Sequence, residues 1–404
     1  MPKRGYTEGI LWIIPQRRYY GSSRKGDSMD HPKEEIRKIL GLLKNWRRDL
    51  HMIPEPGSEV TKTRSYIHSV LKKMNCRIIP AAQNGICAFF DFDRPDTAAY
   101  RSDMDALPMT ESGDLSYASK HPGFMHACGH DGHMAALLGL AYIINTLNNA
   151  PCNILLIFQP AEETTGGAKM ICDSGILKDY NVKKIFGIHL WPGLEAGRPA
   201  SRPGVMMAGS CEVTVTATGK SIHCAEAAEE NDAIRALCDF LDRSYSLPRV
   251  KISAMPSDMS CLLRFGKIYG GSARNTVADH AVLEGTLRCL AEDKLKNIFD
   301  ELKKIAFVCE KKHGCTMEIA GSEGYLPVYN DPSLYNEISS ALGKDYLALC
   351  SPVMLAEDFS FYQRQVPGIF FFLGTGGQKP LHSNDFDFDE SILVDAVELY
   401  LKIL

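Results

Sequence analysis

The spacing of hydrophobic positions changes along the chain, and each change marks a different kind of element. From Pro32, "PKEEIRKILGLLKNWRRDLH" sets apolar residues three and four apart, the period of an amphipathic helix. Between Cys76 and Gly193, short apolar runs alternate with helical stretches. "GICAFFDFD", "TAAYRSDM", "NILLIFQP" and "KKIFGIHL" predict buried strands, and "GHMAALLGLAYIINTL" and "GGAKMICDSGIL" predict helices. The alternation predicts an α/β fold whose mostly parallel sheet has helices on both faces.

From about Ala208 the period becomes two. "CEVTVTATG", "DMSCLLRFGKIYGG" and "AVLEGTLRCL" alternate apolar with polar residues, which predicts an antiparallel sheet. Helices near "NDAIRALCDFLDRSY" and "AEDKLKNIFDELKKIAFVCEKK" complete an inserted α+β unit. Then "PGIFFFLGTGG" returns to a buried strand, and "DESILVDAVELYLKIL" reads as a closing helix. The expected organisation is a larger domain in two parts, 29–207 and 323–404, with a lid of 208–322 inserted between them. Residues 1–28 are basic and aromatic and show neither period. They are expected to lie outside the fold, with translation starting at Met29, because "RKGD" just upstream can be encoded by a purine-rich ribosome-binding site.

The chain has 404 residues, a net charge of -4 and 45% hydrophobic residues, which suits two globular domains. With no long Lys/Arg block and no Walker-type glycine loop, nucleic acid, a membrane surface and nucleotide phosphates are poor partners, and a small molecule is the better one. "GILWIIP" is too short to span a bilayer. Thirteen cysteines without regular spacing or a secretory signal read as reduced thiols of a cytoplasmic protein.

In open α/β sheets, functional groups collect beyond the carboxyl ends of strands. Here "AAYRSDMDALP" ends in Asp103 and Asp105, "ILLIFQPAEE" in Glu162 and Glu163, and "IFGIHLWPG" in His189, while His382 follows "IFFFLGTGG". Cys128 and His130 sit in "MHACGHDGHMA", where a loop turns into a helix. Each has an ordinary explanation by itself: a packed thiol, a hydrogen-bonded histidine, an acidic helix start. Their coincidence at successive strand exits points to a metal site.

The ordered motifs "RRDLHMIPEPGSEV", "RSDMDALPMTE", "MHACGHDGHMA", "FQPAEETTGGAKMI", "IFGIHLWP", "GGSARNTVADHAVLEGTLR", "MLAEDFSFY" and "LHSNDFDFDE" resemble those of metal-dependent amidohydrolases that include hippurate hydrolases, auxin-conjugate hydrolases and N-acetyl-diaminopimelate deacetylases. The resemblance runs from Glu35 to the C-terminus, within the carboxypeptidase and aminoacylase superfamily. It implies a zinc-exopeptidase-like catalytic domain with a lid that often carries a dimer contact. It also implies two divalent ions (Mn, Zn, Co or Ni) bridged by Cys128, with His130, Glu163, His189 and His382 completing their shells. Glu162 would be the general base and Asp105 would orient a ligand imidazole from behind. His223 would reach the reaction centre from the lid, often from a partner subunit, while Asn275, Arg288, Gly374 and Gly376 would lie near the substrate. His126 and His133 would stay outside the metal shells, and Arg48, His51 and Glu55 would serve either the site or the first helix. The chain departs from the family in having Ile222 before His223 and Ala227-Ala228 after it, where glycine and a Pro-His pair are usual, which bears on lid geometry and substrate preference.

The reaction implied is hydrolysis of the amide bond of an N-acyl amino acid or similar small conjugate. The alternatives are a dipeptidase with the same centre, a metal-free enzyme with Cys128 as covalent nucleophile, and a non-catalytic metal-holding binding protein.

Overall fold

Strands that are apolar at every position need a layer on each side, and the large sheet has both. The computed structural model describes residues 31–164, 166–226, 231–247, 250–251, 261–343 and 345–404, so the leader and Ala227-Ala228 lie outside the described residues. The chain opens with α1 (His31–Lys38), α2 (Leu40–His51) and α3 (Thr61–Leu71). It then forms β1 (Arg77–Pro80), β2 (Ile86–Phe90), β3 (Thr97–Asp103), α4 (His130–Ile144), β4 (Asn153–Gln159), α5 (Gly167–Asp173), α6 (Ile176–Asp179) and β5 (Val182–Trp191). Two short strands, β6 (Pro199–Ser201) and β7 (Gly204–Met207), lead to β8 (Gly209–Thr218), α7 (Ala233–Tyr245), β9 (Val250–Lys251), β10 (Cys261–Gly270), β11 (His280–Cys289), α8 (Glu292–His313) and β12 (Thr316–Gly321). The return consists of β13 (Val328–Asn330), α9 (Pro332–Leu342), β14 (Ala348–Leu349), α10 (Ser360–Gln363), β15 (Gly368–Gly374) and α11 (Leu393–Lys402).

The eight-stranded sheet has the order β1-β2-β4-β3-β5-β15-β6-β14. Its centre, β4-β3-β5-β15, is parallel, with antiparallel pairings outside it at β2 and β6. Side chains alternate between two cores. Ile154, Leu156 and Phe158 of β4 face the layer of α2, α4 and α11, while Leu155 and Ile157 face α5 and the Phe359–Tyr362 turn. The α/β sheet and its layers are those the apolar runs predict.

Local breaks are less visible in the pattern. The expected first helix is divided at Ile39, and the helix after β4 is divided at Gly175, which has φ +81°. The second sheet, β12-β8-β11-β10-β9, packs its alternate apolar residues against α7 and α8. It also corrects the reading that all thirteen cysteines are free. Cys261 and Cys289 stand opposite each other on β10 and β11, with Cα atoms 4.4 Å apart, and are joined as a disulfide. Among the described residues no helix is long and apolar enough to cross a membrane.

Four parallel strands ending at one edge place their exits side by side. That edge carries the candidate chemistry, but Gly374 at the end of β15 has a packing task. A Cβ added there would lie 1.9 Å from the Glu195 carbonyl oxygen, and the Gly374 amide donates to the Arg198 carbonyl at 3.1 Å. Gly374→Ala is therefore expected to lower stability in urea unfolding by about 1–3 kcal/mol, the range of overpacking a filled site. Unchanged stability with a raised KM would instead support a substrate contact.

Candidate metal centre

The turn before α4 brings Cys128 and His130 together because Gly129 takes φ +84°, a conformation costly for other residues. The Cys128 thiol is buried, with Sγ 3.4 Å from His189 Nε2. His189 Nδ1 donates to the Leu190 carbonyl at 2.7 Å, and His130 Nδ1 donates to the Asp105 carbonyl at 2.8 Å. Because a carbonyl can only accept, each bond fixes the tautomer and leaves Nε2 with a lone pair facing the site. His130 Nε2 is buried without a hydrogen-bond partner.

Glu163 and His382 come from other strand exits. Glu163 Oε1 lies 3.2 Å from His382 Nε2 and 3.9 Å from His130 Nε2. The donor atoms form two triads, Cys128–His130–His189 and Cys128–Glu163–His382, each with its atoms within 4.8 Å of one another. Cys128 belongs to both. The five expected ligands are thus gathered at one place, with donor types that suit Zn, Mn, Co or Ni.

A different second layer from the expected one holds this arrangement. The Asp105 carboxylate accepts the amides of Glu162 at 3.0 Å and Glu163 at 3.1 Å, so it fixes the peptide that bears both glutamates. The backbone of Asp105, rather than its carboxylate, orients His130. Ala161, just before Glu162, has φ +60°, so this turn is held in a conformation that non-glycine residues rarely adopt. His133 bridges Asp103 Oδ1 at 2.7 Å and the Leu190 amide at 2.9 Å, outside the two triads named above. Buried Arg101 binds Asp103, Glu357 and Asp358 at 2.8–3.0 Å.

Burial and the charges of Glu163, Glu162 and Asp103 push the Cys128 thiol well up. Burial, then Glu357, Glu163 and Asp358, push Glu162 well up, and Glu357 rises in the same way through burial, against the pull of Arg101. Burial drives His189 down to about 3. Burial lowers His130 as well, whereas the hydrogen bond to Glu163 raises His382. Acids and a thiol that repel one another, beside two imidazoles that burial keeps neutral, fit a site built for cations.

Glu162, Glu163, His189, His382, Arg288, Tyr325 and Glu357 line a cleft of about 800 Å³ between the two sheets. Arg288 is half-buried there and donates to the Met354 carbonyl at 3.2 Å. The Tyr325 hydroxyl donates to the Glu162 carbonyl at 2.8 Å. Neither Glu357 nor Tyr325 follows from ligand spacing, although Glu357 stands in the quoted "MLAEDFSFY". His223 and Asn275 are exposed and lie apart from the residues lining this cleft. They adjoin each other instead: His223 pairs with Thr276, and the Cys224 amide donates to the Asn275 carbonyl at 3.0 Å.

Of the helix motif, Glu55 receives the amides of Lys62 and Thr63 at 2.9 Å and so caps α3, and Arg48 pairs with Glu390 at 2.6 Å. His126 is buried with both ring nitrogens unpartnered, and burial lowers it to about 3.

The parallel sheet, the inserted antiparallel sheet and a ligand cluster at the sheet edge define a metallohydrolase type of architecture. The model of peptidase family M20/M25/M40 matches residues 99–404, and the chain belongs to that family, as a hydrolase of amide bonds. An N-acetyldiaminopimelate deacetylase from Listeria monocytogenes is 32% identical over 366 residues, covering 89% of this chain and 97% of its own. A proposed aminohydrolase from methicillin-resistant Staphylococcus aureus is similar in structure, with TM-score 0.85 and 29% identity over 93% of this chain and 99% of its own. A dinuclear metal-binding peptidase of the M20 family from Bacillus subtilis gives TM-score 0.78 and 27% identity, covering 91% and 98%.

One consequence concerns His51, whose Nδ1 faces Asp131 at 2.8 Å and whose Nε2 faces Glu111 at 3.1 Å. Burial opposes its charge, but Asp131 and the two hydrogen bonds win and raise it from 6.5 to about 9. The His51 cation therefore stabilises the fold fully below pH 6.5, and that contribution is lost as pH rises through about 9. In urea unfolding of metal-free protein, wild type should lose about 1–3 kcal/mol more than His51→Gln across that window. Parallel profiles for the two proteins would contradict this.

Proposed function

We propose that the protein removes the acyl group from an N-acyl amino acid or a similar small amide conjugate at a dinuclear metal centre. The observation that carries the proposal is the membership of Cys128 in both ligand triads, because a thiolate shared by two cations would set them side by side. In this reading His130 and His189 would hold one ion with Cys128, and Glu163 and His382 would hold the other. Such ions supply Lewis acidity and an acidified water.

The chain's own residues do the rest. Glu162 takes a proton from the attacking water and returns it to the leaving amine. Its setting suits both duties, since burial and neighbouring acids favour its protonated form whereas nearby cations favour the carboxylate. Asp105 keeps the Glu162–Glu163 peptide fixed through both amides while the proton moves. Arg288, the half-buried cation on the opposite wall, receives the carboxylate of the amino acid. His223 and Asn275, exposed and outside this chain's cleft, serve the cleft of a second copy in a homodimer formed through the inserted unit 208–322.

The same centre would serve a dipeptidase, which also needs a group to hold a free amino terminus. A covalent role for Cys128 is disfavoured by its surroundings, because burial and then neighbouring carboxylates raise the thiol, and burial drives its imidazole neighbour neutral. For Glu162→Gln the expectation is two bound ions per chain and a kcat lower by about 100- to 10,000-fold on acetyl- or benzoyl-amino acids. Unchanged turnover would indicate a binding protein with incidental activity, and preference for free dipeptides would overturn the substrate class.

A further inference from the structure

The "RRDLH" stretch on α2 carries a cation that the chemistry above leaves unused. Arg47 is 1% exposed although it is charged. A guanidinium holds its donors in a rigid planar fork, and here the fork is shared by two segments far apart in sequence. Nε donates to Asp131 Oδ2 at 2.7 Å, next to His130, and Nη2 donates to Asp387 Oδ1 at 2.7 Å, in the loop after β15 that carries His382. Nη1 donates to the Tyr117 hydroxyl at 3.2 Å, and Tyr117 in turn donates to Asp387 Oδ2 at 3.1 Å.

The two segments also touch directly. The His382 amide donates to the Ala127 carbonyl at 2.9 Å. Phe386 and Phe388 cover the turn at its two glycines, where an added Cβ would come 3.4 Å from Phe386 at Gly129 and 2.6 Å from Phe388 at Gly132. The Arg47 guanidinium lies 4.4 Å from the centre of the Phe388 ring.

We propose that Arg47 is a positioning residue that fastens the His382 loop to the Cys128–His130 turn and thereby sets the closure of the Cys128–Glu163–His382 triad on its ion. This rests on the two-ion reading above. Three observations make the clamp specific to that triad. The His382 side chain is 47% exposed, against 12% for Glu163 and 1% for His130, so packing restrains it least. Its backbone has φ +62°, which a non-glycine residue keeps only when its surroundings impose it. The imidazoles of the other triad are instead oriented by the Asp105 and Leu190 carbonyls, which the loop does not carry.

Replacing Arg47 would leave Asp131 buried with less compensation and endanger folding. Asp387, 24% exposed, is the safer place to cut, since the Arg47–Asp131 bond survives. Metal-free wild type, Asp387→Asn and Asp387→Glu would be titrated with Co²⁺ by calorimetry, with thermal unfolding of each metal-free protein in parallel. The expected result is two ions on wild type, one of them bound about 10- to 100-fold more weakly by Asp387→Asn, the other unchanged, and partial recovery in Asp387→Glu. Two unchanged affinities, or two affinities weakened in step with a fall in Tm, would overturn the clamp alone. Fewer than two ions on wild type would overturn the two-ion reading and the clamp with it.

Discussion

Negative charge buried at the edge of a parallel sheet is the constraint on which this structure depends. Glu163, Glu162 and Asp103 act on a buried thiol, Glu357 stands against Glu162, and burial with mutual repulsion drives Cys128, Glu162 and Glu357 toward their protonated forms. Divalent cations bound among these groups would invert that balance, because a coordinated thiol is deprotonated and a neighbouring carboxylate is favoured. The imidazoles complete the picture, since His130 and His189 each give one nitrogen to a carbonyl and turn the other inward.

The surrounding fold supplies rigidity rather than chemistry. Asp105 pins the peptide of the two glutamates, and His133 ties Asp103 to β5 through the Leu190 amide. Arg101 gathers Asp103, Glu357 and Asp358, which keeps those carboxylates from repelling the strand ends apart. Parallel strands that end together bring the candidate ligands to one place, and these buried polar bonds hold them there.

Much of this was legible in the chain. Continuous apolar runs announced the parallel strands, strict alternation announced the second sheet, and strand exits announced the acids and histidines. What escaped depends on contacts between distant segments. No spacing rule tells Arg47 from Arg48, yet one is buried between Asp131 and Asp387 while the other is partly exposed and reaches the buried Glu390 from outside. Asp105 stands behind the His130 imidazole, but it meets the ring through its carbonyl, because the positive-φ turn at Ala161 presents two amides to its carboxylate. The Cys261–Cys289 pair depends on strand register, which alternation alone does not set. Short strands such as β6 and β14 have too few residues to show a period.

Sharing of Cys128 by two ions can be read from anomalous diffraction of crystals grown with Mn²⁺. Two peaks are expected about 3.5–4 Å apart, the usual span of paired catalytic ions, both beside the Cys128 sulfur, one toward His130 and His189 and the other toward Glu163 and His382. A single peak, or density centred on Asp103 and His133 away from the sulfur, would contradict it.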